Sequence, residues 1–121
     1  MDLMGKTVVV YGAGLSGISA AQLARDHGGR AIIYDDNPKK LHATSCASVF
    51  GECDILVVSP GVPSSNPRVL DARLDGKQVL SELEFASVFC RAEQIAVTGT
   101  NGKTTTTLLI DHILKCARIP S

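Results

Sequence analysis

Thr7-Val8-Val9-Val10-Tyr11-Gly12-Ala13-Gly14-Leu15-Ser16-Gly17 is the stretch on which the fold turns. Three consecutive valines leave no polar face, so the strand they form belongs between two layers of helices, as in a parallel sheet. Glycines then follow at the Gly-x-Gly-x-x-Gly spacing. The residues up to about Asp26 read as a helix that turns Leu15, Ile18, Ala21 and Leu23 toward the sheet and ends on His27-Gly28-Gly29, as a glycine C-cap would.

Outward from this unit the pattern repeats. A second strand, Ala31-Ile32-Ile33-Tyr34, runs into Asp35-Asp36-Asn37-Pro38, where Asn-Pro favours a turn. A short third strand is expected near Ala47-Ser48-Val49-Phe50. The fourth, Asp54-Ile55-Leu56-Val57-Val58, leads into a loop holding Pro60, Pro63 and Pro67. A helix around 68–74 and a fifth strand, Gln78-Val79-Leu80, complete the alternation. Ser81 and Glu84 fit a capping box, so a helix begins at Glu82 and runs to about Arg91. The expectation for residues 1–91 is a Rossmann-like α/β fold with a doubly wound parallel sheet.

Gly12, Gly14 and Gly17 after a buried strand, with Asp35 at the tip of the next, match the dinucleotide-binding fingerprint in spacing. Small residues allow a tight turn and close approach of a diphosphate, whose charge meets the helix N-terminus. The alternative is that the glycines serve only close helix–strand packing. Asp35 can accept hydrogen bonds from a ribose or base and would repel a 2′-phosphate, which argues against NADP; as a solvated turn carboxylate it would do neither. Asp36 beside it reads more simply as solvated. Ser59-Pro60-Gly61 leaves the sheet at the same edge, so three loops line one crevice where open α/β sheets bind ligands.

A second anion-binding pattern lies at 99–105, Gly99-Thr100-Asn101-Gly102-Lys103-Thr104-Thr105. It sits between an apolar run, Ile95-Ala96-Val97, that reads as a strand and a helix-like run, Leu108-Leu109-Ile110. Backbone N–H groups can turn inward around a phosphate, the lysine supplies a mobile positive charge, and the next hydroxyl can hold Mg²⁺. The spacing is shorter than the general Gly-x-x-x-x-Gly-Lys-Thr form. A strand-to-helix turn with a threonine cap is the plainer alternative. Residues 92–121 are therefore expected to hold the first strand, phosphate loop and helix of a P-loop ATPase domain, truncated at Ser121.

Composition narrows the function classes. Lysine plus arginine equal aspartate plus glutamate at 12 each in 121 residues, with signs interspersed, which argues against nucleic acid or an anionic membrane as partner. No apolar run approaches the roughly 20 residues that span a bilayer, and no export signal is visible. Cys46, Cys53, Cys90 and Cys116 form no Cys-x-x-Cys pair, which suits reduced thiols in a cytoplasmic protein. His27, His42 and His112 suit surface positions. Nothing in the first unit pairs a nucleophile with a base, so that unit reads as a binder.

Together the glycine loop, Ser59-Pro60-Gly61, the Ser81-Glu82-Leu83-Glu84 helix start and Thr98-Gly99-Thr100-Asn101-Gly102-Lys103-Thr104-Thr105 resemble the Mur ligases of peptidoglycan synthesis. The resemblance spans nearly the whole chain and leans toward the members that add D-glutamate to UDP-N-acetylmuramoyl-L-alanine. It implies that the first unit binds the UDP moiety: Leu15, Ser16 and Gly17 at the diphosphate, Asp35 and Asp36 at the uridine, and Gly61 through its backbone. Asp36 stands where relatives often carry a neutral hydroxyl residue. It implies too that Gly99, Thr100, Asn101, Gly102, Lys103, Thr104 and Thr105 form the ATP site, with Lys103 catalytic and Thr104 on Mg²⁺.

The implied reaction is activation of the substrate's carboxylate by ATP and attack by the D-glutamate amine to form an amide. The family's remaining metal ligands, its carbamylated lysine and its amino-acid-binding domain would lie beyond Ser121. The expectation is that these residues alone bind substrate without ligase activity. The apolar residues of 95–97 with Leu108, Leu109, Ile113 and Leu114 would then dock on the first unit or drive self-association. An NAD-binding oxidoreductase domain is the competing reading, favoured by the glycine fingerprint and opposed by the second phosphate loop.

Overall fold

A computed structural model describes residues 1–120. The chain divides into two compact units, the first Met1–Cys90 and the second beginning at Arg91.

In the first unit, strands β1 (Thr7–Tyr11), β2 (Arg30–Tyr34), β3 (Ile55–Val58) and β4 (Gln78–Ser81) form one sheet in the order β2-β1-β3-β4. Every pairing is parallel. Register aligns Tyr11 with both Tyr34 and Val58, and Val58 with Ser81, so the strands end level and their loops leave from one edge. The chain reverses its winding direction between β1 and β3. In an open α/β sheet that reversal opens a crevice between the flanking loops.

The two-residue period of a strand divides β1 between two cores. Val8 and Val10 join Ile33, Ile55, Val57 and Phe85 on one face, and Val9 and Tyr11 join Tyr34, Leu56, Val69 and Ala72 on the other. Helices α1 (Leu15–Asp26) and α3 (Glu82–Ser87) cover the first face; α2 (Pro67–Leu74) covers the second. Each fully buried aliphatic side chain contributes roughly 1.5–3 kcal/mol.

Four local expectations change. The face of α1 against the sheet is Gly17, Ala20, Ala21 and Ala24, with Leu23 packed against the same core; of the four residues expected there Ala21 and Leu23 hold, while Leu15, 88 % exposed, and Ile18 are turned to solvent. Small residues let the helix come close to the strands, and Leu15 is turned out at the helix start. Residues Ala47–Phe50 form a 3-10 helix instead of a strand, because that tight turn directs the adjacent Val49 and Phe50 to the same core. Phe50 stacks edge-on against Tyr34 with ring centroids 4.8 Å apart. The sheet therefore has four strands, with 78–81 as the fourth. Helix α3 ends at Ser87, four residues short of Arg91, as its backbone passes into three-residue turns at Phe89 and Cys90.

In the second unit helix α4 covers Lys103–Cys116. Residues 95–97 are not a strand there. A strand needs a lateral hydrogen-bonding partner, and no other strand exists among the described residues of that unit. Leu108, Leu109 and Ile113 are exposed. The cysteines are free thiols. No described helix is long and apolar enough to cross a membrane.

Candidate functional site

The three loops predicted to converge do so. Tyr11, Gly12, Ala13, Gly14 and Ser16 from the turn after β1, Asp35 and Asp36 from the tip of β2, and the segment Ser59, Pro60, Gly61, Val62 after β3 line a crevice of about 440 Å³. That volume suits a small ligand.

The glycines of the first loop do different work. Gly12 adopts φ +124°, and a Cβ there would fall 2.4 Å from Ser59 Oγ. A Cβ on Gly17 would fall 2.0 Å from the Gly12 carbonyl oxygen. Packing alone requires glycine at both positions. Gly14 has φ −80°, and a Cβ there would meet nothing within 4 Å, so the protein's own packing makes no such demand. Its small size keeps the crevice open.

Helix α1 begins with no side-chain cap at Gly14. Its first backbone bond runs from Ile18 N–H to the Gly14 carbonyl at 3.0 Å, which leaves the amides of Leu15, Ser16 and Gly17 without an intrahelical acceptor. These three amides carry the positive end of the helix dipole, the feature an anion seeks. Ser16 lines the crevice, whereas Leu15 and Gly17 lie beside its lining in the same first turn, and Gly17 has only backbone to offer.

Asp35 ties two loops together. Its Oδ2 accepts from Ala13 N–H at 2.9 Å and its Oδ1 from Asn37 N–H at 2.9 Å. Asp36, expected to be merely solvated, is held from several sides. Its carboxylate accepts from the hydroxyls of Tyr11 and, at 2.8 Å, Tyr34, and Arg68 Nε stands 3.9 Å away. The Tyr11 hydroxyl holds the Asp36 carboxyl below the usual carboxylate range. Burial first, and then the bond to Asp36, push both tyrosine hydroxyls up. Asn66 extends this cluster: its Nδ2 donates to Tyr11 Oη at 3.1 Å while its Oδ1 accepts from Arg68 N–H at 3.0 Å and caps α2.

The second unit presents its own glycine turn at a helix start. Gly99 and Gly102 have φ of +146° and +75°, values that side chains rarely tolerate. Thr106 N–H donates to the Gly102 carbonyl at 2.9 Å as the first bond of α4, so the amides of Lys103, Thr104 and Thr105 lack intrahelical acceptors. Lys103 Nζ folds back to donate to the Gly99 carbonyl, and the whole loop is exposed.

The chain thus carries two glycine-rich turns, each leading into an uncapped helix start. Over 130 aligned positions it is 41 % identical to UDP-N-acetylmuramoylalanine–D-glutamate ligase of Lachnospira eligens, covering 94 % of this chain and 29 % of that protein. Proteins of the same name from Caldicellulosiruptor saccharolyticus (38 % identity, 95 % of this chain, 29 % of the relative) and Chlorobaculum parvum (39 %, 92 % and 27 %) match over the same range. The chain belongs to the Mur ligase family. It spans under a third of the length of these Mur ligases. No family model matches it. The Mur ligase relatives do not favour the NAD-binding oxidoreductase alternative.

Sequence reasoning missed the side chains that hold Asp36 in this Mur ligase chain. Tyr11, which lines the crevice, and Asn66 and Arg68, which support it from outside the crevice lining, escaped notice, although a tyrosine closing a buried strand needs a partner for its hydroxyl. Glu82 reads from the sequence only as a helix-start residue; in the structure its carboxylate accepts from the hydroxyl of Ser59.

Proposed function

We propose that the chain is the UDP-substrate-binding unit and the opening of the ATP-binding unit of a ligase that adds D-glutamate to UDP-N-acetylmuramoyl-L-alanine. The observation that carries this is the uncapped start of α1 facing a three-loop crevice at the sheet's reversal point. The break between compact units at Cys90 and Arg91 supports a division of labour at about residue 91.

In this reading the amides of Leu15, Ser16 and Gly17 hold the diphosphate, Asp35 and Asp36 border the uridine, and Gly61 offers its backbone. With both carboxylates already occupied by protein donors, the uridine is met by their remaining acceptor capacity and by the backbone of that turn. The left-handed glycines around Gly99–Lys103 fit a polyphosphate, because they turn successive amides to one side. Gly99, Thr100, Asn101, Gly102, Lys103 and Thr105 would cradle ATP, with the Thr104 hydroxyl toward Mg²⁺. ATP supplies the phosphoryl group that activates the substrate carboxylate. Lys103 exchanges its contact with the Gly99 carbonyl for phosphate oxygens, neutralising charge as it moves. The chain acts in the cytoplasm, with no nucleic-acid or membrane partner, and by itself binds without ligating. Self-association through Leu108, Leu109 and Ile113 accompanies this reading.

Titration of the ¹⁵N-labelled chain with UDP-N-acetylmuramoyl-L-alanine and, separately, with NAD tests it. Saturable shifts at Gly14, Ser16 and Asp35 with the former are expected. Selective binding of NAD would overturn it.

A further inference from the structure

The geometry points to Glu82 as a positioning residue for the diphosphate, acting through its hydrogen bond with Ser59 on the shape of the glycine turn. This inference rests on the UDP-binding reading of the crevice.

Ser59 is anchored on both sides of its backbone: its N–H donates to the Tyr11 carbonyl at 3.0 Å, and its carbonyl accepts from Val62 N–H at 2.9 Å. Its hydroxyl donates to Glu82 Oε1. The pair lies against both glycines that packing requires. Ser59 Oγ and Cβ stand 2.4 and 2.6 Å from where a Cβ on Gly12 would be, and Glu82 Oε1 stands 3.4 Å from where one on Gly17 would be. Between those contacts run Gly14 and the start of α1, whose amides the diphosphate would meet.

Glu82 comes from an element, the start of α3, that the three-loop crevice does not include. It opens α3 directly after Ser81, the cap of that helix, and Phe85 one turn later is fully buried. The backbone at Glu82 is thus fixed by the core, and its carboxylate carries that rigidity to Ser59 and the glycine turn. Glu82 also lines a groove between α1 and α3 that shares Ser16 and Pro60 with the crevice. A carboxylate is a strong acceptor for the Ser59 hydroxyl. Its charge opposes an anion nearby, so the contribution lies in geometry, and a neutral acceptor of the same shape would serve as well or better.

The test compares UDP with uridine, which lacks the diphosphate, by titration of the full chain. Glu82→Ala and Ser59→Ala are expected to weaken UDP binding about fivefold, the worth of one hydrogen bond. Uridine affinity should stay within about twofold of wild type, and Glu82→Gln should restore or exceed wild-type UDP affinity. A purely structural role would weaken both ligands alike, and that outcome overturns the inference. So does unchanged UDP affinity in both alanine variants, or a Gln variant as weak as Ala. Ser59→Ala decides if Glu82→Ala fails to fold. Failure of the wild-type chain to bind UDP would overturn the UDP-binding reading as well, whereas the other outcomes leave it standing.

Discussion

The carbonyl oxygen of Gly12 fills the space that a side chain on Gly17 would need, 2.0 Å from the position of its Cβ. The glycine turn and the first turn of α1 are therefore locked against each other at the mouth of the crevice. Gly14, between them, has open space around it. Gly17→Ala is expected to destabilise the first unit by about 1–3 kcal/mol through overpacking, whereas Gly14→Ala should change stability by less than about 0.5 kcal/mol. Gly14→Val should keep the fold and lose UDP binding. Urea denaturation of the variants, read beside the UDP titration, checks this; a Gly14→Val chain that binds normally would contradict it.

Asp36 makes the first unit sensitive to acid. Its folded-state pKa is lowered, chiefly by the Tyr11 hydroxyl, so its contribution is present above the unfolded value and lost as pH falls below about 4. Glu84, lowered by the Ser81 backbone N–H, acts in the same window. Tyr11 and Tyr34 have raised values, mainly through burial, so their contribution is complete below about pH 10 and declines above it. Melting temperatures between pH 2 and 5 should fall less steeply for Asp36→Asn than for wild type. An unchanged slope would sink the assignment.

Ser81 and Glu84 form a complete capping box, with Ser81 N–H donating to Glu84 Oε2 at 2.7 Å and Glu84 N–H to Ser81 Oγ at 3.2 Å. Ser81→Ala should cost about 1 kcal/mol of stability. Because Ser81 lies outside the crevice, UDP affinity should hold, and a large loss of affinity would place Ser81 in the site.

Lys103 supplies the positive charge of the second loop, its Nζ donating to the Gly99 carbonyl. Lys103→Ala is expected to weaken ATP binding by about tenfold or more, as loss of a charged hydrogen bond does, while UDP binding stays unchanged. Parallel calorimetric titrations with ATP and UDP measure both. Equal weakening of the two would contradict separate sites.

Much of this was legible residue by residue. Val8, Val9 and Val10 announced a strand buried on both faces, and the Gly12-Gly14-Gly17 spacing announced the turn and helix after it. Parallel pairing of the strands then brought the Gly12, Asp35 and Ser59 loops to one edge. The cap at Ser81 was readable because its two partners are three residues apart. Less local features were not: the stretch at 47–50 has strand-forming residues yet turns into a 3-10 helix around Phe50, and 95–97 has them yet lies unpaired. Leu15 follows the helical period and still faces outward, because Gly17, Ala20, Ala21 and Ala24 allow the closer packing.

By itself, then, the sequence determined the four strands of the sheet and the helices after them, the edge at which three loops gather and the two glycine turns at helix starts, since each depends on spacings within a few residues. Only the tertiary structure decided which glycines packing demands, that Asp36 is gripped by Tyr11 and Tyr34, and that Glu82 reaches Ser59. Most of those depend on contacts between residues far apart along the chain, Tyr11 to Asp36, Gly12 to Ser59 and Ser59 to Glu82, and such contacts leave no local periodicity to read.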